Sequence, residues 1–196
     1  MIERVISFSR VKGIVRGEKF DRIATTLGRA AENNLRDRFI KGTAPRGLQK
    51  LKLENVSKTR HTLSAPLPFM GFAATCTPDL VTADSQKQLV RCIEIKLRGS
   101  PVPDDQVQAA FAMFTGPTYA ESWSGGLFDT AWNFEYWFYY HNNERSIQTE
   151  PGFLDGGVGI SFLMMCEAAA NYLLTVDDGY LKNLSSGYLI IAGENY

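Results

Sequence analysis

The chain has 196 residues, of which 44% are hydrophobic, 12% aromatic and 21% charged; this composition supplies a core and excludes an intrinsically disordered chain. Its formal charge is zero, but residues 1–60 carry 15 Lys/Arg against 6 Asp/Glu, and residues 61–196 carry 6 against 15. The length suits a single α+β domain over 1–196, with a basic part (1–60) and an acidic, aromatic-rich part (61–196).

In chain order, residues 2–15 mix apolar and basic side chains and are expected to form one strand, bent near Gly13 and ended by Gly17. Residues 18–40 carry Phe20, Ile23, Ala24, Leu27, Ala30, Ala31, Leu35 and Phe39 at helical spacing, and Gly42 and Pro45 supply a stop. Residues 48–61 alternate near their start, which predicts a strand with a basic face at Lys50 and Lys52. Residues 62–85, with Pro66, Pro68, Gly71 and Pro78, are expected to be a loop. Residues 89–98 alternate cleanly and predict a strand, which Pro101 and Pro103 end. A helix is expected over 104–114, with Asp104 and Asp105 favouring its N-terminal dipole and Gly116-Pro117 closing it.

Residues 128–141 predict an aromatic strand, with Trp132, Phe134, Tyr136, Phe138 and Tyr140 on one face and Trp137 and Tyr139 on the other. A strand with large aromatics on both faces is either buried twice or covered by a partner. Asn142-Asn143 is a turn signal, with Ile147 on a returning strand. After a glycine-rich connection at 152–159, residues 161–174 read as a helix apolar nearly all round, hence buried or in an interface. A short strand is expected at 188–192. The sum is an α+β fold with a mixed or antiparallel sheet of about five to six strands and about three helices; its irregular order argues against a doubly wound sheet.

Little in this pattern announces chemistry. Only His61 and His141 could serve a triad, and neither has a nucleophile motif beside it. The closest approach to a nucleophile elbow, Gly159-Ile160-Ser161-Phe162-Leu163, lacks its second glycine. Residues 155–159 (Asp-Gly-Gly-Val-Gly) have neither dinucleotide nor phosphate-loop spacing, and Asp177-Asp178-Gly179 reads as a turn. Cys76, Cys92 and Cys166 are too dispersed for a disulfide framework or a zinc site. No catalytic residue, metal or cofactor is therefore expected, and no small-molecule substrate. No secretory leader is expected at the start, and the apolar stretch 160–174 is too short and interrupted for a transmembrane span.

The strongest signal is basic. Arg22, Arg29 and Arg36 recur every seven residues, a spacing that drifts only about 20° around a helix. Lys41, Arg46, Lys50, Lys52, Lys58 and Arg60 continue the excess. The stripe fits a solvated helix face, a site for an acidic protein surface, or a site for nucleic acid or anionic lipid. The chain carries an equal acidic excess of its own, so a second copy is an expected partner. The acidic and aromatic side of such a contact would draw on Glu121, Asp129, Glu135, Trp137, Tyr139 and Glu144.

The opening order of strand, amphipathic helix with Ala30-Ala31-Glu32-Asn33-Asn34-Leu35-Arg36-Asp37-Arg38, and loop Thr43-Ala44-Pro45-Arg46-Gly47 resembles the tail-completion and neck proteins of long-tailed bacteriophages over residues 5–50. The resemblance implies a small α+β subunit that assembles into rings. The expectation is a structural, non-enzymatic virion subunit, assembled in the host cytoplasm, that oligomerises into a ring or helix by basic-to-acidic contacts and meets other virion proteins. The alternative is a matrix- or coat-like module that binds nucleic acid or anionic membrane through residues 1–60.

Overall fold

A computed structural model describes residues 4–17, 22–49, 56–57, 59–69, 71–122 and 132–194. Residues 2–15 do not form one strand. Strand β1 covers only Val5–Ser7, and helix α1 follows at once over Phe8–Arg16. The Ser7 hydroxyl accepts the Arg10 N–H at 3.4 Å and caps the helix, and Gly17 ends it at φ 59°. Phe8, Val11, Ile14 and Val15 explain the change, because their spacing is that of a helix face, and all four meet the main core.

Helix α2 spans Arg22–Ile40, as its periodicity predicts, and a single turn, α3, follows at Arg46–Gln49. The strand expected at 48–61 is corrected at both ends. Leu48 lies in α3, and Val56 makes only an isolated bridge to Thr82. Its middle, including Lys50, Lys52 and Lys58, lies outside the described residues.

The expected loop at 62–85 holds three strands: β2 (Leu63–Pro66), β3 (Ala73–Cys76) and β4 (Leu80–Asp84). Its prolines are not strand breakers here, because Pro66 ends β2 while Pro68 and Pro78 stand between strands. Strand β5 occupies Leu89–Lys96, helix α4 Pro103–Ser122, strand β6 Asn133–Tyr140 and strand β7 Arg145–Gln148. Helices α5 (Gly157–Thr175) and α6 (Asp178–Ala192) complete the fold. The expected strand at 188–192 is thus helical, with Leu184, Tyr188, Ile191 and Ala192 forming its buried face.

The class is α+β, but among the described residues there are seven strands in two sheets and six helices, more than expected. The smaller sheet has the order β1-β3-β2, with β1 parallel and β2 antiparallel to β3. The larger has the order β4-β5-β6-β7, with β5 and β6 parallel and both outer pairs antiparallel. Helix α4 touches both sheets, through β2 and β3 on one side and β6 on the other. It continues past Gly116-Pro117. Any Cβ at Gly116 would strike the Phe134 ring, so glycine permits the close approach of α4 to β6, while Pro117 sits on the exposed side.

The larger sheet is covered on both faces. Val90, Cys92, Tyr136, Phe138 and Tyr140 join the main core with α4, α5 and α6. The alternate residues Leu80, Ile93, Ile95 and Tyr139 lie in a second core with Leu35, Ala44 and Leu48, against which Phe39 and Trp137 pack. Of the two readings of the aromatic strand, the chain adopts the first for Tyr136 and Tyr139: both are fully buried within it.

Candidate interaction surface

The basic third folds back on the acidic two thirds. Helix α1 sends Lys12 and Arg16 to Asp104 at the start of α4, at 3.2 and 2.7 Å, and Arg16 also reaches Glu194 at 3.0 Å. The Tyr188 hydroxyl donates to the same carboxylate at 2.9 Å. Partial burial alone would raise the Asp104 pKa, but the bonds from Tyr188, Arg16 and Lys12 outweigh it and hold the carboxyl below its usual range. Burial, and then the bond to Asp104, push the Tyr188 phenol up.

Arg36 is 8% exposed and is not a surface residue. Its guanidinium donates two bonds to the Asp79 carbonyl, at 3.1 and 2.7 Å. The Asp79 carboxylate accepts the Ile95 N–H at 2.8 Å and pairs with Arg60 at 3.7 Å. Arg36 therefore faces the sheet that α2 covers. Arg29, seven residues earlier, is exposed, as are Lys41 and Arg46. The Arg22 side chain and Asp129 lie outside those described.

On the acidic side, Glu135 accepts from Arg91 at 2.5 Å and from the Trp137 indole at 2.9 Å, both within the sheet. Trp137 is half-buried and Tyr139 buried. Glu121, at the C-terminal end of α4, and Glu144, in the β6–β7 turn, are exposed. The structure thus brings Arg36, Arg60 and Asp79 together, and separately Arg91, Glu135 and Trp137, and it leaves the other described charges of the expected interface on the surface.

Two further polar clusters bind elements together. At the start of α4, Asp105 accepts from the Tyr140 hydroxyl at 2.9 Å, from the Val102 N–H at 3.1 Å and from the Arg98 guanidinium. Lys96 lies beside them, bonded to Gln108 at 2.5 Å and Glu94 at 3.3 Å. The second cluster joins Ser57 and His61 to α4. The His61 Nε2 lies 2.6 Å from the Ser57 hydroxyl, and its Nδ1 lies 2.7 Å from the Tyr119 hydroxyl. The Ser57 oxygen also accepts the Thr59 N–H at 3.2 Å, closing a local turn. Among the described residues no group of three His, Cys, Asp or Glu side chains is set to hold a metal ion. All three cysteines are unpaired and buried, and burial pushes their thiols up, which makes them poor nucleophiles.

The surface that stands out is apolar. Helices α5 and α6 form an antiparallel hairpin whose inner faces join the main core through Phe162, Met165, Cys166, Ala169, Leu184 and Tyr188. Gly187 lies against Met165, where a Cβ would come within 3.0 Å of the Met165 Cβ, so the crossing is close. The outer face leaves Ile160, Met164 and Ile190 exposed at 62%, 63% and 55%, with Leu174 and Val176 exposed near the hairpin turn. Between the two helices runs a groove of about 420 Å³ with a mixed lining, Met164, Ala168 and Ile190 beside the polar Glu167, Asn171, Tyr180 and Asn183. By length and composition α5 could cross a membrane, although 33% of its most apolar stretch is buried within the chain.

The sequence carried a partial signal for this face, since residues 161–174 read as buried or in an interface. Ile160 stood at the head of the apolar stretch 160–174 but just outside the helix expected over 161–174, and Ile190 fell in the expected final strand. Compared with protein-family models, curated proteins and solved structures, the chain matches none.

Proposed function

We propose that this chain is a structural self-assembling subunit, and that it associates through the outer face of the α5–α6 hairpin. The observation that carries this reading is the exposure of Ile160, Met164 and Ile190 on the hairpin, where Met164 and Ile190 border a groove. Contiguous apolar surface of this kind marks sites that meet another protein or a membrane. Fully burying each such side chain is worth roughly 1.5–3 kcal/mol. The resemblance of residues 5–50 to phage neck and tail-completion proteins supports a virion as the assembly and the host cytoplasm as the place of assembly. Basic-to-acidic contact has a smaller role in this proposal than the charge totals suggest. Lys12, Arg16 and Arg60 already pair within the chain, so its basic side draws on the exposed Arg29, Lys41 and Arg46 and its acidic side on the exposed Glu144.

The test is the mass of the full chain by sedimentation equilibrium across micromolar to millimolar concentrations, at low and high salt. Association that persists at high salt is expected. A monomer under every condition would sink the proposal.

A further inference from the structure

We infer that Asp79 and Glu94 hold a hard divalent cation, Mg²⁺ or Mn²⁺. Its outer ligand is a phosphodiester of a nucleic acid strand, which water cuts there. The inference goes beyond assembly and does not rest on the hairpin face. It starts from register. Leu80 pairs with Ile93 across the antiparallel β4–β5 ladder, so one step back Asp79 stands opposite Glu94. Strand alternation puts both side chains on the face of Val81 and Cys92, with Lys96 two residues beyond Glu94. Side chains so placed have Cβ atoms about 5 Å apart, and like charges directly opposite destabilise a sheet. Asp79 is 6% exposed and the Glu94 side chain 13%, so water screens little of that repulsion. The sequence did not announce the pair, because the two carboxylates meet only through the β4–β5 hairpin.

Two buried polar atoms at this place lack partners. Glu94 Oε1 meets Lys96 at 3.3 Å, but Glu94 Oε2 is buried without a hydrogen bond. The hydroxyl of Tyr136, a residue with no exposed surface, has none either. Tyr136 pairs with Cys92 on the same face, one strand over. Burial pushes its phenol up, and among nearby charges Glu94 does so most and Asp79 also contributes, so the hydroxyl lies beside both carboxylates. Folded interiors leave few such atoms unpaired. Two carboxylates and a phenol offer only oxygen, which suits a hard cation with its waters. Two carboxylates suffice for Mg²⁺, which keeps several waters and completes its shell with phosphate oxygens.

The surroundings are cationic. The exposed Arg60 lies 3.7 Å from Asp79 Oδ1, and Lys96 stands on the far side of Glu94. Arg36 docks α2 beneath Asp79, and the exposed Arg29 and Lys41 lie about 10 and 8 Å from it along the axis by the helical rise. One phosphate completes the cation's shell. The further basic residues fit the successive phosphates of a strand, which a free nucleotide lacks. With the cation and Lys96 on the phosphate oxygens, water adds to phosphorus and one P–O ester bond breaks. One proton of the water ends on the departing oxygen and its hydroxyl stays on phosphorus. The products are an alcohol end and a phosphomonoester end, with no change of redox state.

The experiment uses the full chain with Mn²⁺, read by calorimetric titration and by the paramagnetic resonance of the free ion. The parent should bind Mn²⁺, and its melting temperature should rise with Mn²⁺ concentration. Glu94→Gln and Asp79→Asn should each weaken Mn²⁺ about tenfold or more, with far-ultraviolet circular dichroism unchanged. Glu94→Gln keeps an oxygen for the Lys96 bond, so it should fold whichever way Asp79→Asn behaves. Glu144→Gln, in the exposed β6–β7 turn, should bind Mn²⁺ like the parent. Labelled DNA or RNA oligonucleotides should be cut in Mn²⁺ to phosphomonoester ends, about a hundredfold more slowly by Glu94→Gln. Lys96→Met should slow cutting by a similar factor without weakening Mn²⁺, since it removes a cation from beside the site.

No Mn²⁺ binding by the parent, or equal binding by Glu94→Gln and Asp79→Asn, overturns the site. Mn²⁺ bound there without cutting of any oligonucleotide overturns the phosphodiester assignment. Hydrolysis of the p-nitrophenyl ester of thymidine monophosphate, with DNA and RNA left intact, overturns the strand in favour of a free nucleotide. Association through the hairpin is read separately by sedimentation, so its failure and the failure of this site are distinct.

Discussion

Arg29 and Arg36 differ by two helical turns and by environment. Arg36 is buried with two bonds to one carbonyl, so Arg36→Ala leaves the Asp79 carbonyl unsatisfied beneath α2. We expect a loss of about 1.5–3 kcal/mol in denaturant unfolding, and little rescue by lysine, which cannot present a planar fork. Arg29→Ala, on the exposed side, should stay within about 0.5 kcal/mol of the parent. Equal losses at both positions would contradict this assignment. Asp104 gives the pH prediction. Its carboxyl is held below the usual range in the folded chain, so the stability it contributes is present above the unfolded pKa, near 4, and is lost as pH falls through the folded value. Asp104→Asn should cost about 1–3 kcal/mol at neutral pH and should flatten the acid limb of the stability curve. Thermal melts of parent and variant between pH 2 and 7 would show it.

At the scale of elements, β6 is the strand on which the two cores meet. Tyr136, Phe138 and Tyr140 point into one, and Tyr139 into the other with Leu35, Leu48, Ile93 and Ile95. Tyr139→Ala should therefore cost about 3–5 kcal/mol and loosen α2 specifically, which hydrogen exchange of residues 33–40 would register before exchange in α4. The α4–β6 contact makes a complementary case. Gly116→Val places atoms where the Phe134 ring stands and should cost about 1–3 kcal/mol through overpacking. Urea denaturation measures both, and a neutral Gly116→Val would mean that α4 can lift from the sheet cheaply.

For the whole molecule, the apolar hairpin face predicts an association that salt does not dissolve. At 1 M salt the screening length is about 3 Å, so contacts between exposed charges fade while apolar burial persists. If the copies pair, the melting temperature should rise with protein concentration, because association stabilises the folded state by mass action. Association that is lost at high salt would return the contact to Arg29, Lys41 and Arg46.

The sequence by itself determined the elements whose pattern is local. Helical spacing marked α2, strict alternation marked β5, and the aromatic run marked β6. The apolar stretch after Gly159 marked α5 and hinted at its exposed side. Only the tertiary structure decided the rest. The helical face of α1 was legible as either period, because the Ser7 cap that selects helix competes with a strand pairing to residues far along the chain. The strands β2, β3 and β4 are short and depend on partners from elsewhere in their sheets, so prolines at their borders masked them. The charge split was plain in the composition, yet its meaning was not. A stripe of arginines fixes which side of a helix is basic. Whether that side meets solvent or a carbonyl beneath the helix depends on where the helix docks, and Arg36 shows that part of it docks inward.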